Sequence, residues 1–333
     1  MAMKRFFAVC LSLGIALGAN AQSTEELAET ARSFTRQGDY ANAILVLNRA
    51  LSKTPNDITL QRELAMNHYL QGDLQKAREI IVPLTDRTDV DVPSFQIAFN
   101  VLSTLKEQKE LEKVFRKALK KFPDDGVVNS EYGAYLYAIK NPTAIRYWEK
   151  GMEKSPNYPM NYYQAAKHYL LTEETAKGLI YGEIFVNLES YSARTAEMKK
   201  LLLEGYKKLF AETDLTKIPS KSAFTNAVLK ALQPQTGLAI HGINAESLSM
   251  IRTRFILQWF SEGGNKYPFR LFEYLRQLLR EGLFEAYNQW LFGAAENPGR
   301  YQQWVNTHAA ENESFMKFQR GRVFKVPTGE FYP

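Results

Sequence analysis

The sequence contains very little cysteine: one residue, Cys10, in a chain of 333. A single thiol cannot form a disulfide within the chain, and a cysteine metal site needs several thiolates. Cys10 also lies in an N-terminal segment that we expect to be removed. The sequence therefore excludes a disulfide-stabilised fold, and the remaining 333 − 21 = 312 residues are enough to bury a core without one.

Motifs that carry catalytic chemistry are missing as well. The sequence has no G-x-S-x-G, no H-E-x-x-H, no P-loop and no G-x-G-x-x-G followed by a helical pattern. Its four histidines are scattered along the chain: His68, His168, His241 and His308. Glu273, Glu281 and Glu285 could form an acid–base pair, but glutamates on amphipathic helices are normally solvated. We predict that the protein is not an enzyme and holds no cofactor and no metal.

The only long apolar run lies at the N-terminus. Lys4 and Arg5 precede an apolar stretch at residues 6–17, and the small residues Ala19 and Ala21 follow it. This order is typical of a secretory signal peptide, and the run is too short for a transmembrane helix. We predict cleavage after Ala21, no transmembrane segment, and a periplasmic or secreted location. A lipid anchor is not expected, because Cys10 lies inside the apolar run instead of at its end.

A strong charge imbalance is also lacking. The formal net charge is +6, and removal of Lys4 and Arg5 leaves 6 − 2 = +4. Residues 22–212 have 26 basic and 26 acidic side chains, whereas residues 214–333 have 14 and 10. Nucleic-acid-binding proteins usually concentrate far more positive charge on one face, so we predict no nucleic-acid partner.

A pattern of about 34 residues repeats five times from Thr24 to Ser192. The five units are Thr24–Asp57, Ile58–Asp91, Val92–Asp125, Gly126–Tyr158 and Pro159–Ser192. In the first unit, small and apolar residues form two helical faces around a turn at Gly38: Leu27, Ala31 and Phe34, then Ala43, Leu47 and Ala50. Pro55 ends that unit. A period of this length predicts a stacked array in which each unit buries its apolar face against its neighbours.

These positions resemble the tetratricopeptide repeat, which has an aromatic residue, Leu-Gly and Tyr on its first helix and Ala, Phe, Ala and Pro on its second. The match is strongest in Thr24–Asp57. The chain is similar to secreted repeat proteins that are common in bacteria related to Bacteroides. The resemblance implies an all-α fold, a tetratricopeptide-type superhelix of antiparallel helix pairs whose first helices line a concave groove. A further first-helix pattern at 194–210 would close the array.

Helical patterning continues in the C-terminal third without the repeat. It covers residues 222–232, 246–260, a helix opened by Pro268, 283–295 and 300–309. Residues 321–333 lack helical patterning, so we expect them to form a tail that packs on the helices or is partly disordered. Aromatic residues such as Phe255 and Trp259 have core spacing, while Tyr301 and Trp304 are candidates for an exposed patch. We therefore divide the chain into a signal peptide (1–21), a repeat array (22–212) and a smaller C-terminal helical region with an extended tail (213–333).

Two functions follow from this organisation. The first is a protein- or peptide-binding scaffold that uses the concave groove of the repeats. By the geometry of the resemblance, the partner-binding residues are Arg62, Met66, Tyr69, Gln96, Asn100, Tyr137, Tyr163 and Lys167, of which Arg62 and Lys167 would select an acidic partner. The alternative is a glycan-binding accessory protein of a cell-surface polysaccharide system, in which exposed aromatic rings would stack on sugars.

Overall fold

The computed structural model describes residues 22–262 and 266–332. Within these ranges the chain is helical and contains no β-strand, which confirms the predicted all-α class. The predicted signal peptide lies outside the described residues. None of the described helices combines the length and the apolar character that crossing a membrane requires.

The repeat region folds as the predicted helix pairs. Its helices are α1 (Thr24–Arg36), α2 (Tyr40–Lys53), α3 (Ile58–Gln71), α4 (Leu74–Leu84), α5 (Val92–Thr104), α6 (Gln108–Lys121), α7 (Gly126–Ala138), α8 (Ala144–Lys154), α9 (Pro159–Leu170), α10 (Thr175–Leu188) and α11 (Ala193–Leu209). Odd-numbered helices from α1 to α9 are the first helix of each unit, and α11 is the predicted closing helix. Pro83 stands one residue before the end of α4, where its missing backbone N–H helps to end the helix.

Aspartates determine where several first helices begin. The side chains of Asp57, Asp91 and Asp125, each 34 residues from the next, accept hydrogen bonds from backbone N–H groups in the first turns of α3, α5 and α7. These bonds satisfy N–H groups that have no partner inside the helix. The same capping chemistry thus recurs with the period of the sequence.

The described residues form two compact units, which divide between Gln108 and Lys109. In the first unit, α1 to α4 bury small and apolar side chains against one another. Ala31, Ala43 and Ala77, which lie on α1, α2 and α4, are fully buried.

The second unit contains the last repeats and the C-terminal helices. After a 3₁₀ turn (Leu215–Lys217) come α12 (Ala223–Leu232), a 3₁₀ helix (Gln233–His241), α13 (Ala245–Glu262), α14 (Arg270–Arg280), α15 (Phe284–Asn288), a π-helical segment (Gln289–Gly293), α16 (Ala294–Glu296), α17 (Pro298–Thr307) and α18 (Ala309–Arg320). Pro268 precedes α14 instead of opening it. The sequence reading missed α18 because only Phe315 of this helix is buried, so its apolar periodicity is weak.

One apolar core runs through the second unit. It contains Leu136 and Trp148 of the fourth repeat together with Leu248 and Phe272 of the C-terminal helices. Every residue of α10 from Thr175 to Asn187 is buried. The boundary predicted at residues 212–213 therefore lies inside this unit, where repeats and C-terminal helices share a core.

The tail packs on the same unit. Phe324 and Val326 are buried. The side chain of Asn157, in the loop between α8 and α9, accepts a hydrogen bond from the backbone N–H of Val326 at 2.9 Å and donates one to its carbonyl at 3.0 Å. The described residues 321–332 therefore form a tail that packs on the helices, which is one of the two alternatives that the sequence left open.

Candidate functional site

In the first unit, the predicted partner-binding residue Arg62 forms an ion pair within the chain. Its guanidinium donates to the carboxylate of Asp91, the residue that caps α5. Partial burial alone would raise the pKa of Asp91, but hydrogen bonds from Ser94 and the charge of Arg62 lower it below its usual value. The Arg62 charge is therefore neutralised within the chain and is not available to select an acidic partner.

The other predicted residues of this unit remain accessible to different degrees. Met66, Tyr69 and Gln96 are half-buried, and Asn100 is exposed. Leu70, which the sequence reading did not select, keeps 39% of its surface exposed. This face therefore presents thioether, phenol, amide and aliphatic groups.

The first helices of this unit are also fixed to one another. Arg32 of α1 donates to Glu63 of α3 at 2.9 Å, and the Thr35 hydroxyl donates to Asn67 at 2.8 Å. These side chains hold α1 and α3 side by side. The surface of Met66 and Tyr69 is therefore built on rigid helices, which favours a preorganised binding surface.

In the second unit, Tyr163 and Lys167 form a closed cluster with Glu197 of α11. The Tyr163 hydroxyl donates to Glu197 at 2.6 Å, and the Lys167 ammonium donates to the other carboxylate oxygen at 2.7 Å. Tyr163 is buried. Hydrogen bonding to Glu197 raises the pKa of Lys167, so its ammonium stays charged but paired. This cluster joins α9 to α11 and leaves little of Tyr163 for a partner.

Tyr137 is the most accessible of the predicted residues in the second unit. Half of its surface, 51%, is exposed, and its ring lies edge-on to the His168 imidazole with 6.3 Å between centroids. The buried Trp148 ring lies 5.6 Å from the Tyr137 ring, measured between centroids, and is tilted against it. Burial lowers the pKa of His168, which favours the neutral imidazole. The three rings form an aromatic cluster with one exposed edge.

Two aliphatic side chains missed at the sequence level lie at the same ends of the first helices. Leu171 follows α9 and is 75% exposed, and Ile139 follows α7 and is 46% exposed. With Tyr137 they form what we call the apolar patch of the second unit. A search for exposed apolar residues just past the Tyr position of each repeat would have found Leu171.

The apolar exposure recurs at one place in the repeat. Leu70 and Leu171 are each the thirteenth residue of their unit, and Tyr69 and Tyr137 are the twelfth. On the second helices α2, α4, α6, α8 and α10, by contrast, Leu45 is the only large hydrophobic side chain that is exposed among the described residues. Exposed apolar groups that recur at equivalent repeat positions within each unit indicate an interaction surface on that unit.

The C-terminal aromatic residues mostly form core. Phe255, Trp259, Phe269 and Phe272 are buried, as their spacing predicted. Tyr301 and Trp304 are half-buried, and Trp304 stacks on His308 with 4.9 Å between nearly parallel rings. Little flat aromatic surface is thus left open at α17.

A buried polar cluster in the second unit has no access from the surface. Arg252 donates to Glu183 and Asn288, and the Tyr287 hydroxyl donates to Glu183 at 2.8 Å. Burial opposes the charge of Arg252, but the Glu183 carboxylate raises its pKa. The adjoining cavity measures only about 30 Å³, enough for a water and too small for a substrate. Within the described ranges, no three potential metal-ligating side chains come together.

The repeat geometry agrees with a family match. Residues 34–97 match the sequence model of the tetratricopeptide repeat. This part of the chain carries tetratricopeptide repeats. No curated protein is significantly similar to it in sequence.

Solved structures with some similarity carry the same type of repeat. A thermophilic tetratricopeptide repeat protein of Thermus thermophilus is 15% identical over 54% of this chain and 100% of its own, with a TM-score of 0.46. One from Parabacteroides merdae is 17% identical over 78% and 98%, with a TM-score of 0.42. The C-terminal part of one from Cytophaga hutchinsonii is 15% identical over 81% and 95%, with a TM-score of 0.44. The repeat assignment here rests on the family match and on the helix pattern.

Proposed function

We propose that the chain is an exported, non-enzymatic scaffold that binds a protein or peptide through the first-helix surfaces of its repeats. The observation that carries the proposal is the recurrence of exposed Leu70, Tyr137 and Leu171 at equivalent ends of first helices. Exposed aliphatic and aromatic groups on rigid helices are typical anchors for a partner side chain.

The chemistry of the partner differs from the expectation based on sequence. Arg62 and Lys167 are each paired with a carboxylate of the chain, so they do not provide free positive charge on this surface. The exposed groups at the predicted positions are the Tyr137 phenol and the Asn100 amide, and the exposed aliphatic side chains Leu70, Ile139 and Leu171 lie at the ends of the same first helices. We therefore propose a partner segment with apolar anchor residues, in place of an acidic one, at these positions.

The glycan-binding alternative receives less support. Stacking on a sugar needs an open aromatic face. Trp304 has His308 on one face, and Tyr301 is half-buried. Tyr137 exposes half of its surface, and the other large exposed side chains at the ends of α7 and α9 are aliphatic Ile139 and Leu171, a composition suited to a peptide side chain.

The binding proposal is tested with peptides selected from a phage-displayed library against residues 22–333. We expect a selected peptide to lose at least about tenfold in affinity when Tyr137 and Leu171 are both replaced by alanine, since anchor residues carry most of the binding energy. Leu45→Ala is the matched control, because Leu45 is 50% exposed on a second helix. Equal losses in the two variants would contradict the proposal.

The export proposal rests on the charged start, the apolar run and the small residues before Gln22. We expect the N-terminus of the protein isolated from its native cell to be Gln22. Intact-mass spectrometry gives the answer directly. Protein that retains Met1, or that carries lipid on Cys10, would overturn this part of the proposal.

A further inference from the structure

Positive charge is concentrated on one second helix. The helix α6 carries six basic side chains (Lys109, Lys113, Arg116, Lys117, Lys120 and Lys121) and two acidic ones (Glu110 and Glu112), which gives 6 − 2 = +4. The second helix α8 carries three basic and two acidic side chains, which gives 3 − 2 = +1. Residues 22–212 are neutral in total. The positive charge of α6 is therefore a local excess that the total charge of the repeat region does not reveal.

The basic residues are aligned along the solvent-facing side of α6. Its buried residues are Leu111, Val114, Phe115 and Ala118. At about 100° per residue, Lys109, Lys113, Arg116 and Lys120 lie opposite that buried face, within an arc of about 60°. All four are exposed. We call these four residues the basic ridge; it is one side chain wide and about 16 Å long.

The chain compensates only part of this charge. Lys113 pairs with Glu110 at 3.2 Å, and Arg116 pairs with Glu112, both within α6 and both at the surface. Exposed pairs of this kind contribute little. The Lys113 and Arg116 side chains keep 67% and 71% of their surface exposed, against 19% and 39% for the paired Arg62 and Lys167, so their cationic groups stay accessible. Within the described residues, Lys109 and Lys120 at the two ends of the ridge form no ion pair.

We propose that the basic ridge docks an acidic helical segment of a protein partner. The ridge follows positions i, i+4, i+7 and i+11 of a helix, so a second helix with carboxylates at the same spacing can place each one beside a cation. This surface is separate from the first-helix surfaces and does not depend on the function proposed for them.

The shape of the ridge disfavours a membrane surface as its occupant. None of the large hydrophobic side chains of α6 is exposed, so nothing on this face would insert into a bilayer. Glu110 and Glu112 also flank the ridge on its two sides and would repel a broad anionic surface. A narrow acidic helix avoids both carboxylates.

The test uses a synthetic helical peptide with glutamates at i, i+4, i+7 and i+11, and a second peptide of the same composition with its glutamates spread around the helix. Fluorescence anisotropy measures binding to residues 22–333 at low ionic strength and again with added salt. We expect the striped peptide to bind more tightly than the spread one and to weaken with salt. Lys109→Glu with Lys120→Glu should weaken it at least about tenfold.

The matched control is Lys230→Glu with Lys317→Glu, which makes the same charge change at two exposed lysines of α12 and α18. Circular dichroism checks that each variant keeps its helical content. If Lys109→Glu with Lys120→Glu loses helix, Lys109→Gln with Lys120→Gln takes its place. Equal weakening in the control would overturn the proposal, because it would show a general charge effect. Equal binding of the two peptides, or binding to anionic vesicles without binding to the striped peptide, would overturn it too.

Discussion

At the scale of single residues, the turn between the two helices of each of the first four repeats contains one left-handed residue. Gly38, Gly72, Lys106 and Lys140 are spaced 34 residues apart, and their φ angles are 78°, 87°, 59° and 58°. Glycine adopts this conformation freely, whereas a side chain makes it unfavourable. The third and fourth repeats therefore keep the turn at a cost that the first two do not have.

This backbone strain leads to a stability prediction. Lys106→Gly and Lys140→Gly should each raise the free energy of unfolding by up to about 1 kcal/mol, because they relieve a left-handed lysine. Urea denaturation measures the change. Lys140→Ala serves as the control, since it removes the charge but keeps the Cβ atom. If the alanine variant were stabilised as much as the glycine variant, strain would not be the cause.

A second residue-scale feature is the half-buried Lys199 of α11. Its ammonium donates to the carbonyl oxygen of Trp290 at 2.8 Å and lies 3.4 Å from the centre of the indole ring. Burial lowers the pKa of Lys199 to about 7. Trp290 belongs to the π-helical segment, so Lys199 connects the closing helix of the repeats to that segment.

The lowered pKa of Lys199 predicts a pH dependence. An unfolded lysine has a pKa of about 10.4, so between about 7 and 10.4 the unfolded chain binds more protons than the folded chain and stability rises with pH. Lys199→Met should remove this rise and should stabilise the protein at neutral pH. Urea denaturation between about pH 7 and pH 10.4 measures the free energy of unfolding of each variant. Lys200→Met is the control, because Lys200 is an exposed neighbour of Lys199. A rise that persists unchanged in Lys199→Met would contradict the assignment.

Single residues also show where sequence reasoning stops. The repeat period placed Arg62 and Lys167 on first helices correctly, but it did not reveal that Asp91 and Glu197 neutralise them. Both partners lie on the next first helix or at its cap, about one repeat away in sequence. Such pairing depends on the lateral distance between helices, which periodicity does not determine.

At the scale of elements, the sequence predicts the helices well wherever their apolar faces are regular. The repeat helices α1 to α11 and the stripes of α12 and α13 lie close to the expected positions. The sequence pattern does not predict α18, because this helix has a single buried residue. It also does not predict the π-helical segment at Gln289–Gly293, because an apolar helical stripe looks the same in a π-helix and an α-helix. Burial from several directions also erases periodicity, as in α10.

The close crossing of α9 and α10 depends on a glycine. A Cβ atom at Gly178 would lie 2.7 Å from the backbone nitrogen of Leu170, whereas one at Gly182 would meet only the side-chain ends of Leu202 and Met198 at 2.9 Å. Backbone cannot move aside as flexible side chains can. Gly178 therefore sets the distance between the two helices of the fifth repeat.

Alanine substitution tests this crossing. Although alanine normally favours a helix over glycine, Gly178→Ala should destabilise the second unit by about 1–3 kcal/mol through overpacking. Gly182→Ala, on the same helix, should cost less because its neighbours can adjust. Thermal unfolding followed by circular dichroism compares the two variants. A larger loss for Gly182→Ala would contradict this explanation of the crossing.

At the scale of the whole molecule, the C-terminal helices belong to the same compact unit as the last repeats. Glu183 of α10 binds Arg252 of α13, and Asn187 donates to the hydroxyl of Tyr287 on α15 at 2.8 Å. Because the Glu183–Arg252 ion pair is buried, removal of either side chain would leave an unpaired buried charge and would strongly destabilise the folded second unit. The sequence could not show this union, since the contacts join residues that are 69 and 100 positions apart.

The central claim is that the first-helix surfaces contact the partner. A photoreactive amino acid placed at position 137 or 171, and at position 45 as the control, tests it directly. Each protein is irradiated with a library-selected peptide, and mass spectrometry identifies the cross-linked products. We predict cross-links from positions 137 and 171 and none from position 45. Cross-links from position 45 alone, or equally from all three positions, would contradict the claim.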